Sequence, residues 1–73
     1  MKLKQIGSNQ TSLSIGNNEI FFSYNTPVAA FIFGEGYVKT EEKFSSTTSK
    51  HITAWAGKNA PTKPQSFFEN LIK

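Results

Sequence analysis

Apolar and polar residues alternate along the first half of this chain and change period in the second. Leu13 and Ile15 alternate with Ser12 and Ser14, the pattern of a half-buried strand. Gly16-Asn17-Asn18 supplies turn chemistry, and Ile20, Phe22 and Tyr24 then alternate with Glu19, Phe21 and Ser23. Asn25-Thr26-Pro27 interrupts the run, since proline has no N–H to give a ladder. A third strand is predicted from Val28 to Phe33. Gly34-Glu35-Gly36 turns the chain into a fourth, Tyr37 to Thr40. The prediction is a four-stranded antiparallel β-meander over about residues 10–44.

After Phe44 the spacing becomes helical. Ser45 to Ser49 offer hydroxyls for an N-terminal cap, Ile52, Trp55 and Ala56 share a face, and Gly57 suits a helix end. This predicts a packed helix over about 47–57, followed by a linker at 58–64. Ser66-Phe67-Phe68-Glu69 has capping-box form, and Leu71 and Ile72 extend its apolar stripe. A short C-terminal helix over 65–73 follows. The predicted fold class is α+β in a single small domain.

The meander raises a covering problem, because both of its faces are apolar. Leu13, Ile15, Ile20, Phe22, Val28 and Ile32 form one face, expected under the helix of Ile52 and Trp55. Phe21, Phe31 and Phe33, with Tyr37 beside them, form the other. Three exposed phenylalanines would make a large apolar patch on so small a protein. The stripe Phe67-Phe68-Leu71-Ile72 is the expected intrachain cover. A homo-oligomeric interface or a partner platform are the alternatives.

Composition narrows the chemistry. Seventy-three residues without cysteine exclude disulfides and thiolate metal sites. One histidine and no ligand spacing among the glutamates give no reason to expect a metal or other cofactor. The net charge of +3 is unevenly distributed. Residues 1–42 hold three lysines against four glutamates, a net of −1, and residues 43–73 hold five lysines against Glu69, a net of +4. A basic half of this kind suits an anionic partner, or simply a soluble surface. Arginine, which reads guanine and clamps phosphate with a planar fork, is absent. No apolar run is long enough for a signal peptide or a membrane span, so no membrane partner is expected.

Enzymatic motifs do not assemble. Gly34-Glu35-Gly36 lacks the third glycine and the following helix of a dinucleotide fingerprint. Glu41 and Glu42 are adjacent in an extended segment and point apart. His51 lies among many hydroxyls, but these occupy cap and turn positions, and no orienting acid is apparent. Aromatics on a sheet beside lysines also occur in single-strand nucleic-acid platforms, although the RNA-recognition signature is missing here.

The segments "SYNTPVAAF" (residues 23–31), "GYVKT" (36–40) and "FSSTTSKHITAW" (44–55) resemble a family of small uncharacterised proteins of tailed bacteriophages. The resemblance covers roughly residues 5–57, departs at Phe44 where tyrosine is expected, and leaves the tail outside it. It implies a phage or prophage origin and action in the host bacterial cytoplasm. It brings no catalytic or cofactor residue. The resulting expectation is a non-enzymatic accessory binding protein. Nucleic acid would be contacted by Lys39, Lys43, Lys50, His51, Lys58 and Lys63. The alternative is a host or phage protein as partner, with the chain an inhibitor of a host or defence protein complex, possibly as a homo-oligomer, docking through Phe21, Phe31, Phe33, Tyr37, Phe67 and Phe68.

Overall fold

A computed structural model describes residues 2–7 and 9–72, and the backbone alone at Lys2. The fold is mixed α+β, a six-stranded sheet with two helices. The strands are β1 (Lys2–Gly7), β2 (Gln10–Ile15), β3 (Asn18–Ser23), β4 (Thr26–Ile32), β5 (Gly36–Thr40) and β6 (Thr62–Lys63). They lie in sequence order across the sheet, antiparallel except for β6, which runs parallel to β5. A parallel neighbour needs a crossover, and α1 (Ser46–Ala56) supplies it. The second helix, α2, spans Gln65–Leu71. The expected continuation to Lys73 reaches outside the described residues.

Two strands therefore flank the predicted meander. β1 pairs with β2 through Leu3↔Leu13 and Lys4↔Ser12. β6 is a two-residue strand between Pro61 and Pro64, within the expected linker. The Lys39 N–H donates to the Pro61 carbonyl and the Glu41 N–H to the Lys63 carbonyl, each at 2.9 Å. β4 also begins earlier than predicted and takes Pro27 into the middle of the sheet. It does so at a bulge: Phe21 pairs with Ala29 and Phe22 with Pro27, leaving Val28 as the extra residue. A bulge is one of the few sheet positions that tolerates proline.

The two faces hold nearly the predicted residues, but under exchanged helices. Leu13, Ile20, Ala30 and Val38 are buried with Phe68 of α2, and Ile15, Phe22, Ile32, Phe67 and Leu71 pack against them. Phe21, Val28 and Ala29 are buried with Ile52 of α1, flanked by Trp55 and Ala56. So α2 covers the Ile20 face and α1 the Phe21 face, the reverse of the expectation. Val28 changes sides because the bulge turns it to the same side as Ala29. Phe33 leaves the set altogether. It sits in the β4–β5 turn, 68% exposed, with its N–H donating to Asn18 Oδ1 at 3.0 Å.

The helix ends follow local chemistry. Ser45 caps α1, its Oγ accepting from the Thr48 N–H at 3.2 Å. Gly57 ends the helix at φ +88°, a conformation that side chains with a Cβ rarely adopt. At α2 the predicted capping box does not form, because the helix starts one residue before Ser66 and Pro64 is its N-cap. Gln65 instead anchors this end: its Nε2 donates to the Pro27 carbonyl and its Oε1 accepts from Thr40 Oγ1, both at 2.7 Å.

Phe68→Ala should therefore cost about 3–5 kcal/mol, as for other buried phenylalanines, whereas Phe33→Ala should stay within about 0.5 kcal/mol. Urea denaturation of both variants checks the assignment. Equal losses would mean that the tail does not fill the core.

Candidate functional site

The sheet alternation divides the basic residues. Lys39 and Thr40 are consecutive in β5, and Thr40 turns to α2, where it meets Gln65. Lys39 thus faces α1. Its Nζ donates to the Lys58 carbonyl at 2.9 Å, fixing the segment that leaves α1. Lys63 pairs with Thr40 and shares its side, with its Nζ 5.6 Å from the centre of the Phe67 ring. Lys43, Lys50 and Lys58 are exposed before, on and after α1. Of the six residues proposed for nucleic acid, five belong to the α1 side and Lys63 lies on the other.

His51 is half-buried and turned inward. Its Nδ1 lies 3.1 Å from Ser23 Oγ, which is also 3.2 Å from Thr48 Oγ1. Thr48 Oγ1 in turn accepts from Ser45 Oγ at 3.3 Å. This hydroxyl chain joins the α1 cap to β3. Ser23 is 2% exposed, so its oxygen is shielded from an incoming substrate, and no carboxylate is bonded to the His51 ring among the described residues. The arrangement is that of a helix anchor rather than a nucleophile and base. Every buried side-chain N or O among the described residues has a hydrogen-bond partner.

The aromatic residues proposed for a protein interface are also divided. Phe21 and Phe68 are fully buried, on opposite faces, and Phe67 packs beside Phe68. Phe31 is half-buried, and Phe33 and Tyr37 are the two presented to solvent. On the α1 side the rings form a connected set. Trp55 stacks on Phe21, with centroids 5.1 Å apart and planes inclined by 15°. Tyr37 meets Trp55 edge-on at 5.4 Å and Phe31 at 5.0 Å. The link between Trp55 and Tyr37 crosses from helix to strand, and sequence spacing carries no signal for it.

Between β5, β6 and α1 lies an open cleft of about 270 Å³ lined by Lys39, Glu41, Glu42, Lys43, Ile52 and Thr62, among others. Its charges are mixed. Among the described residues there is no cluster of metal-ligating side chains. No helix among them is long and apolar enough to cross a membrane.

A family model matches residues 1–70, which take in all six strands, α1 and α2 as far as Asn70. The chain belongs to that family of unknown function (DUF8033). The DUF8033 match takes in the segment after Gly57, which the resemblance to tailed-bacteriophage proteins left outside. No curated protein and no solved structure matches the chain.

Ser23→Ala removes the shared partner of Thr48 and His51. It should destabilise the fold by about 0.5–1.5 kcal/mol, the usual net contribution of a hydrogen bond, because Thr48 Oγ1 keeps its bond from Ser45 and His51 is only half-buried. Thermal unfolding monitored by circular dichroism checks this, and an unchanged melting temperature would mean that the hydroxyl chain does not anchor α1.

Proposed function

We propose that this DUF8033 protein is a non-enzymatic accessory binding protein that contacts the sugar-phosphate backbone of nucleic acid through the outer side of α1. The observation that supports this reading is the character of that surface. Ser46, Thr47, Ser49, Lys50, Thr53 and Ala54 are exposed, α1 contains no carboxylate, and Lys43 and Lys58 flank its ends. Small hydroxyl-bearing side chains allow a backbone to approach closely, and hydroxyls and lysines both donate to phosphate oxygens. Glu41 and Glu42 share the cleft with Lys43, so an anionic chain is favoured along the outer face of α1, beside Lys50, rather than in the cleft. The absence of arginine fits contact with phosphates more than base-specific readout. The resemblance to tailed-bacteriophage proteins supports a phage or prophage source and action in the host cytoplasm.

Three lysines, rather than all five in the candidate set, are available for phosphate, since Lys39 and Lys63 are engaged within the chain. Binding to duplex DNA should then fall with salt at a log–log slope of about −2.7, at about −0.9 per contact. Lys50→Ala should flatten the slope by about one unit, and Lys63→Ala should leave it unchanged. Absence of binding at low salt ends this reading. A slope equally sensitive to Lys63 would mean that the contact surface is not α1.

A second reading is a protein partner, such as a host complex that the chain inhibits. It is supported by the outer edge of β1, which pairs with no further strand among the described residues, and by exposed Leu3 and Tyr24, which line one shallow pocket. Lys4 on that strand disfavours pairing with a second copy of the same edge.

A further inference from the structure

We infer that Tyr37, supported by Trp55 and Phe31, is a stacking platform for an unpaired base of single-stranded nucleic acid, with Lys58 beside it for the adjoining phosphate. This deepens the nucleic-acid reading above and rests on it. An exposed tyrosine alone is ordinary. Tyr37 differs in how firmly it is held. The residue is 46% exposed, yet two other rings meet its ring edge to face, Phe31 at 63° and Trp55 at 87°. Trp55 is itself fixed by stacking on fully buried Phe21. A ring held in this way would meet a base with little further loss of rotational freedom.

A hydrogen bond ties the segment that carries the cation to the Tyr37 face. Lys39 is two residues along β5 on the same face as Tyr37, and its ammonium grips the Lys58 carbonyl. That bond holds the backbone carrying Lys58 three residues beyond Trp55. A π surface with a nearby lysine is the pairing that single-strand binders use, and only unpaired bases expose a face to stack. The nearby acids set the direction of approach. Glu19 lies beyond Phe31 in the same cross-strand row, and its carboxylate accepts from Ser12 Oγ at 2.7 Å. Glu35 is in the β4–β5 turn. The anionic strand therefore reaches Tyr37 from the α1 side, where Lys50 and Lys58 stand.

The test compares oligo-deoxythymidine, oligouridine and an abasic deoxyribose-phosphate strand of equal length at low salt. Emission from Trp55, the single tryptophan, reports binding. At least one base-bearing strand should bind about 5- to 150-fold more tightly than the abasic one and quench the emission. A preference for one sugar series assigns DNA or RNA. Tyr37→Leu keeps an apolar side chain against Trp55 and should abolish the advantage without changing the salt slope, while Tyr37→Phe should retain it. Equal affinity of the wild-type protein for all three strands, with ordinary salt dependence, overturns the platform and leaves the backbone reading standing. No binding to any strand overturns both.

Discussion

The burial of β3 and β4 on both faces is the constraint on which the rest of this structure depends. Ile20 and Phe21 are consecutive in β3, Ala29 and Ala30 in β4, and none is more than 1% exposed. Consecutive strand residues point to opposite faces, so one layer of cover cannot bury all four. The chain answers with a helix on each side. Neither helix is long enough to be stable alone in water, and both depend on the face they cover. The alanines matter for this. Small side chains at 29 and 30 let α1 and α2 approach the sheet, and the large rings of Trp55 and Phe68 complete the space.

Hydrophobic burial alone does not say which helix takes which face, because both faces are greasy. Polar pairs between helix and sheet supply a specific match. Ser23 on the Phe21 face meets Thr48 and His51 of α1. Thr40 and the Pro27 carbonyl meet Gln65 of α2. Exchanging the helices would leave these buried groups unpaired, a cost of about 1–3 kcal/mol for each. We read these contacts as the reason for the observed arrangement.

Much of the sheet was legible in the sequence, because alternation in β2, β3 and β4 is strict enough to separate Ile20 and Phe22 from Phe21 and Phe31. Alternation says which residues share a face, not what covers them, and the covers were exchanged. It also presumes unbroken register, which the bulge at Val28 violates. β1 carries little signal, because Lys2 and Lys4 alternate with few large apolar residues. β6 carries none, because two residues between prolines have no period. At the candidate site, a count of basic residues could not show that Lys39 and Lys63 lie on opposite faces. That follows from the pairing of β5 with β6, and the support of Tyr37 by Trp55 follows from helix docking.

The docking of α1 over Phe21 therefore gathers the outward lysines and the Tyr37 ring on one side of the molecule. Nuclear Overhauser contacts among the aromatic rings test that docking most directly in a chain of 8.1 kDa. The account predicts cross-peaks between the Trp55 indole and the rings of Phe21 and Tyr37, and between the Phe68 ring and the methyl groups of Ile20 and Val38. Cross-peaks from Phe68 to Phe21, with Trp55 instead close to Ile20 and Leu13, would contradict it.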